Sequence, residues 1–289
     1  MLSLHSVLDA EGISPDDVAV LLHTPKEPQL RKFLPWLVRE RADLFEWYQS
    51  LHNKGVTATL RRRRFVLSFV SFAPSRLVLA GLYRIAAVET RSTQKILQDP
   101  EATELTDRFR LDYGALAQAE DWVWFSLERS DSLAAYAGRL TISPKPSRAY
   151  GRLAENFDEP IASIWREPVF DAPPPDWRAL TISGPELRVL PESWAARLRE
   201  WRGIYLIVDE HDGARYVGSA YGEANLLGRW QAHVQGSLGL TKRLSERPTE
   251  RFRFSILERV SPDMTVEDVT ALEQTWMQRL HTKEFGLNI

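Results

Sequence analysis

The chain has 289 residues, of which 44% are hydrophobic and 26% charged, with a formal net charge of −2 and no cysteine. That is the profile of an ordinary globular protein with room for two domains, and it excludes disulfides, thiolate metal sites and cysteine nucleophiles. No apolar run approaches the roughly 20 residues a helix needs to cross a bilayer, and Met1–His5 has no basic leader pattern, so the cytoplasm is the expected compartment. A charge this close to neutral is not that of a protein coating nucleic acid without specificity. Binding, however, depends on where charge sits rather than on its sum.

Residues 1 to about 52 are expected to be helical. Ser14-Pro15-Asp16-Asp17 combines a hydroxyl cap, a first-turn proline and early acids, which suit a helix start. Glu27 to Gln49 carries Leu30, Phe33, Leu34, Leu37, Leu44, Phe45 and Tyr48 at helical spacing, with Pro35 as the point of bending or division. From about 56 to 170 the pattern turns to strands. Arg64–Phe72 and Leu77–Ile85 are joined by the turn Ala73-Pro74-Ser75, and Trp122–Leu127 and Arg139–Ile142 follow. Many strands and few helices suggest a barrel-like or curled sheet. Arg61-Arg62-Arg63-Arg64 is either a charged strand edge that discourages aggregation or a nucleic-acid contact. Trp122 and Trp124 share one strand face, as packing residues or as the wall of a pocket for a flipped or modified base.

Asp171-Ala172-Pro173-Pro174-Pro175-Asp176-Trp177 is the boundary signal, because successive prolines form a stiff connector and end helices and central strands. A helix around Glu192–Trp201 leads to Gly203–Val208 and Arg215–Ala220, two strands joined by a polar turn with Gly213, which read as a hairpin. Ala224–Gln235 reads as a helix that places Arg229 and His233 on one face. Arg251–Glu258 reads as a strand with alternating Phe252, Phe254 and Ile256. Thr265–His281 reads as a long helix carrying Glu273.

Gly203-Ile204-Tyr205, Tyr216-Val217-Gly218, Arg229 with Trp230 and His233, Ser255–Glu258, Glu273 with Trp276, and Asn288-Ile289 occur in that order. This order resembles the GIY-YIG nuclease superfamily, most closely in motif the phage intron homing endonucleases. The resemblance covers residues 203–289, under a third of the chain. It implies a small mixed sheet flanked by helices there; with the N-terminal helical segment and β-rich, barrel-like domain read from the residue pattern, the chain is expected to be α+β. The expected division is a recognition region over 1–170, a Pro-rich connector with its helix over 171–200, and the nuclease domain over 201–289.

The implied activity is hydrolysis of phosphodiester bonds in DNA with Mg²⁺, for which Mn²⁺ would substitute. A restriction or phage-defence nuclease is the expected biology, with a homodimer as one route to a double-strand cut. Glu273 is a hard oxygen donor suited to a cation that keeps most of its waters. Arg229 is a permanent cation able to fork onto phosphate oxygens. Tyr205 and Tyr216 would orient or deprotonate the attacking water, with Tyr205 the favoured base; a phenol with a pKa of about 10 needs help to serve as one. His233 would relay a proton or touch phosphate, and Asn288 would brace the site. Ser219, Lys242, Arg243, Arg251 and Arg253 are the candidate nucleic-acid contacts.

The family's frequent second histidine is absent from Gln235–Gly239, and Ser219-Ala220 stands where repair-type members often carry a lysine. No DNA-reading module follows the signature, so specificity is expected from the N-terminal part. The alternative is a fold kept for nucleic-acid binding or protein interaction with little catalysis; a decayed site would be expected to lose one of Tyr205, Tyr216, Arg229 and Glu273, and all four are present.

Overall fold

The structure, a computed structural model, describes residues 2–113, 119–145, 149–171, 176–236 and 242–289. The proline run at 173–175 lies outside them, and the side chains of Asp171 and Lys242 are not described. The chain divides into two units, Met1–Ala172 and Pro173–Ile289.

The first unit opens with α1 (Leu4–Ala10). The expected helix at Ser14 does not form. Ser14 caps only a single 3₁₀ turn, Pro15–Asp17, and Val18-Ala19-Val20-Leu21-Leu22-His23 continues as β1 (Val18–His23). The reason is burial: all six residues of β1 are buried, and a short apolar run enclosed on both faces satisfies a central strand better than a helix with one wet side. Then come α2 (Pro28–Glu40) and α3 (Ala42–Tyr48), which break at Arg41, the residue between them, while Pro35 is accommodated inside α2. The remaining elements are α4 (Lys54–Leu60), β2 (Phe65–Ala73), β3 (Arg76–Ser92), α5 (Thr93–Leu97), α6 (Pro100–Phe109), β4 (Asp121–Arg129), β5 (Leu140–Ile142), β6 (Gly151–Leu153) and β7 (Ile161–Ile164).

These strands form one seven-stranded sheet in the order β6-β1-β2-β3-β5-β7, with β4 on β3. β1 and β2 are parallel, and every other pair is antiparallel. β3 is 17 residues long and changes partners along its length: its first half pairs with β2 and β5, its second with β4. Irregularities at Ser68/Phe69 and Ile85/Ala87 bend it, so the sheet curls. One face packs Val20, Leu67, Phe69 and Leu79 against Leu4 and Leu8 of α1. α2 lies against β2, and Phe45 of α3 meets Tyr83 of β3. Trp124 is buried in edge contact with Trp47, and the Arg91 guanidinium sits 4.0 Å above its ring, so this tryptophan packs rather than lines a pocket. Of the four successive arginines, Arg63 pairs with Glu155 and Arg64 with Asp17.

The second unit begins inside the stretch expected to be a connector. β8 (Thr181–Ser183) joins the sheet of this unit as an edge strand, and α7 (Gly184–Leu187) follows with Ser183 and Glu186 forming a capping box. α8 (Glu192–Glu200), β9 (Gly203–Asp209), β10 (Arg215–Ala220), α9 (Asn225–Gln235), α10 (Lys242–Ser245), β11 (Phe252–Arg259), α11 (Val266–Arg279) and α12 (Thr282–Phe285) complete it. The four-stranded sheet is antiparallel, in the order β10-β9-β11-β8.

Alternation along the strands builds two cores. Tyr205, Ile207, Tyr216, Phe252 and Phe254 face Leu198, Leu226, Leu227 and Trp230. Ile204 and Val217 face the other way, onto Val269, Leu272 and Met277 of α11. Removing a large apolar side chain from water is worth roughly 1.5–3 kcal/mol, so fully buried Trp230, in contact with Phe254 at 5.3 Å between centroids, anchors α9 firmly to the sheet. Trp276 fastens α11 by donating its indole N–H to Glu258 at 2.8 Å.

Candidate active site

The central strand β9 offers Tyr205 to one face of the sheet, and the edge strand β10 places Gly218 directly beside it in register. A Cβ at Gly218 would overlap the Tyr205 hydroxyl and stand 2.5 Å from its ring carbon Cζ. The glycine of Tyr216-Val217-Gly218 is therefore a matter of space: it lets one tyrosine ring lie across the neighbouring strand. Gly203 has the same reason for being glycine, since a side chain there would run into the Glu258 carbonyl.

Tyr205 is fully buried, and its hydroxyl lies 2.6 Å from Nε2 of His233 on α9. The imidazole packs edge-on between Tyr205 and Tyr216, at 5.6 and 5.4 Å between centroids. One helical turn earlier, the Arg229 guanidinium is close enough to both tyrosines and to Glu273 to shift all three. Glu273 comes from α11, on the opposite face of the sheet, and accepts a hydrogen bond from the Ser219 hydroxyl. Residues 218 and 219 point to opposite faces, so β10 carries the tyrosine side on Gly218 and the carboxylate side on Ser219. Groups from α9 and α11 converge across this one edge strand.

Asn288 completes the strand from outside. Its side-chain amide donates to the Val217 carbonyl at 2.8 Å and accepts from the Val217 N–H at 2.9 Å. Leu287 adds a backbone bond to the Arg215 carbonyl at 2.8 Å. Asn288 is buried and acts on the site through the backbone between Tyr216 and Gly218.

Burial governs the electrostatics. It pushes the Tyr205 hydroxyl well above the ordinary phenol range, with Tyr216 adding to the effect and Arg229 opposing it. Tyr216 is raised by burial and by the nearby Glu273 charge. Burial and then the Arg229 charge lower His233 to about 3, so its imidazole is neutral near pH 7. Burial raises the Glu273 carboxyl, against the pull of the Ser219 hydrogen bond and Arg229. Burial also works against the Arg229 cation, yet Tyr205, Tyr216 and Glu273 together hold it above its usual value. With Tyr205 protonated and His233 neutral, Nε2 accepts from the phenol O–H in the imidazole tautomer that carries its proton on Nδ1.

Of the residues singled out in the sequence, Tyr205, Tyr216, Arg229, His233 and Glu273 come together, with Asn288 behind them. Ser219, expected as a nucleic-acid contact, is turned inward onto Glu273. Arg253 pairs with Glu210, Arg243 reaches the Gly286 carbonyl at 3.4 Å, and the Arg251 side chain is exposed. The Lys242 side chain lies outside what is described. Arg247 is taken up at the hairpin turn by Asp209 at 2.6 Å and Asp212 at 2.9 Å. Among the described residues no three carboxylates or imidazoles are grouped as a metal cage, so Glu273 stands as a single anionic donor. That suits Mg²⁺, which keeps several waters and takes one or two carboxylates.

Residues 202–288 match the family described as the GIY-YIG catalytic domain, and this part of the chain is a nuclease domain of that type. Two solved structures are similar to it, each with a TM-score of 0.26 over 30% of this chain. One is the catalytic domain of the homing endonuclease I-TevI, 26% identical with 97% of its length covered. The other is a mutant of the same catalytic domain, 24% identical with 92% covered. No curated protein matches the chain.

Proposed function

We propose that the chain is an endonuclease that hydrolyses phosphodiester bonds in DNA with Mg²⁺, or Mn²⁺ in its place. The observation that carries this reading is the convergence of a buried tyrosine–histidine pair, a half-buried arginine and a carboxylate across one edge strand. Glu273 would hold the cation, with Ser219 fixing the carboxylate's orientation. The cation supplies charge neutralisation to the transition state and favours deprotonation of the attacking water.

The protein's own groups do the rest. Arg229 forks onto the non-bridging phosphate oxygens and stabilises the charge that gathers there. The Tyr205 oxygen takes the proton of the attacking water while its own proton passes to His233 Nε2. A phenol held protonated can then serve as a base without ever becoming a free phenolate. Tyr216 closes the pocket around this relay and orients the water.

The N-terminal unit is the proposed source of specificity, and restriction or phage defence in the cytoplasm is the proposed setting. A single carboxylate site cuts one strand at a time, so a double-strand break is proposed to require two copies or successive nicks. Cleavage of supercoiled plasmid and of modified and unmodified phage DNA with Mg²⁺ or Mn²⁺ tests the reading, beside Glu273→Ala and Arg229→Ala. Cutting by the wild type that both variants abolish supports it. Equal DNA binding by all three without any cutting would leave a binding module in place of a nuclease on these substrates.

A further inference from the structure

A half-open cleft of about 810 Å³ lies at the end of the first unit's sheet, within the range of roughly 300–1,000 Å³ typical of small-molecule sites. It opens beyond the ends of the parallel strands β1 and β2, where α2 begins, which is where open sheets with helical crossovers tend to bind ligands. Its described lining includes Arg31, Lys32, Arg76, Lys145 and Arg152 and no carboxylate. α2 adds the positive end of a 13-residue helix whose capping residue, Glu27, makes no side-chain bond to it.

The walls are apolar and partly aromatic, with Phe72 and Tyr150 among them. Tyr150 is steadied from behind by His52, whose Nδ1 is 3.2 Å from its hydroxyl. The lining also includes Ser71, 9% exposed, whose buried hydroxyl has no hydrogen-bond partner among the described residues. Arg31 and Arg152 already donate to backbone carbonyls, whereas Arg76 and Lys145 are exposed at the mouth. A basic lining of this kind calls for an anion, and flat apolar walls with one unpaired buried hydroxyl call for a planar group with a polar edge.

We infer that this cavity binds a nucleotide: the cations hold its phosphate, the Phe72 and Tyr150 side chains pack against its base, and Ser71 meets the base's polar edge. Both a nucleotide extruded from a strand and a free nucleotide present that chemistry. The strand-borne source rests on the proposed action on DNA, whereas the cavity's preference for nucleotides does not.

The test uses the full chain carrying Glu273→Ala, so that bound DNA stays intact. Binding is measured to modified and unmodified phage DNA fragments, to the four deoxynucleoside monophosphates and to inorganic phosphate. The comparison variants are Arg76→Glu with Lys145→Glu, both exposed and so tolerant of reversal, and Ser71→Val. Ultraviolet crosslinking to DNA with peptide mapping gives an independent readout.

The charge-reversed chain is expected to lose at least tenfold in affinity, and crosslinks are expected on the peptides holding Phe72 or Tyr150. Competition by monophosphates assigns a free nucleotide; loss of DNA affinity without such competition assigns a strand. Unchanged affinity with crosslinks confined to 202–288, phosphate competing as well as any nucleotide, or no binding of any probe overturns the inference. Wild-type cleavage is scored separately. Cutting and DNA affinity that both ignore the cavity variants, with no monophosphate bound, sink this inference alone, and cavity-dependent binding without cutting sinks the nuclease proposal alone.

Discussion

The hydroxyl of Tyr205 and Nε2 of His233, 2.6 Å apart, join two groups that burial holds neutral for opposite reasons. The phenol resists losing a proton and the imidazole resists gaining one, so at rest the proton stays on the phenol, and it can pass to Nε2 only as the water's proton replaces it. Tyr205→Phe should reduce plasmid nicking by about 10²–10⁴-fold, the usual worth of a positioned acid or base. The fold should survive, at a loss of about 1–3 kcal/mol for leaving Nε2 without its partner. Single-turnover nicking rates beside a thermal melt measure both. A Tyr205→Phe enzyme as fast as the wild type would remove the relay.

Gly218→Ala tests the close approach of Tyr205 to β10. The added methyl overlaps the Tyr205 hydroxyl, and that ring has no room to retreat past Trp230. Overpacking of this kind costs about 1–3 kcal/mol. Activity should fall by at least a hundredfold, because the displaced group is the proposed base. The discriminating result is the ratio: a loss of stability with normal rates at low temperature would show that the ring's exact position is unimportant.

Ser219→Ala removes the hydrogen bond that orients Glu273 while leaving the carboxylate. Groups that orient a metal ligand are typically worth 10–100-fold in metal affinity or activity. The expected result is a rightward shift of the Mg²⁺ activation curve of about tenfold, with most of the maximal rate recovered at high Mg²⁺. Ser219→Thr should rescue it, since the hydroxyl returns.

Asn288→Ala leaves the buried N–H and C=O of Val217 without their side-chain partner. Each such group costs about 1–3 kcal/mol, so chemical denaturation should show the second unit destabilised by a few kcal/mol. Asn288→Asp restores the acceptor and not the donor, and should fall between.

Stability should decline as pH falls from about 6.5. Burial is the main reason that His23, His52 and His233 are lowered to about 3, 4 and 3, so the unfolded chain takes up protons that the folded chain refuses. Their contribution is complete above the ordinary histidine value of about 6.5 and is lost progressively down to about pH 4 for His52 and about pH 3 for His23 and His233. Each neutral histidine adds about 1.4 kcal/mol per pH unit to that slope. His23→Gln should remove one such share between pH 6 and pH 5, read from denaturation midpoints across that range.

Much of the second unit was legible because its elements are local. The Gly-bounded runs around Tyr205 and Tyr216 pair as the predicted hairpin, and Thr265 caps α11, which carries Glu273. What spacing alone could not convey was the meeting of Ser219 with Glu273, which depends on α11 lying across the sheet face opposite α9. β8 was hidden because three residues beyond a proline run give no periodicity to count. In the first unit, the Ser14 signal was read as a helix start and proved to be a turn before a buried strand, since local capping chemistry is silent about burial on both faces. The five cations of the cavity are scattered from Arg31 to Arg152, and only the fold, which sets α2, the β2–β3 turn, the loop at Lys145 and β6 around the strand ends, brings them together.

Asn288 also bears on self-association. β10 is an edge strand, and an edge with unpaired N–H and C=O groups is a template for another chain. By occupying both groups of Val217, Asn288 and the backbone of Leu287 close that edge with residues from the same chain. Pairing strand to strand through Val217, beside the active site, is thereby blocked. Any pair that cuts both strands must then meet through other surfaces, and loss of the clamp would favour aggregation as well as instability.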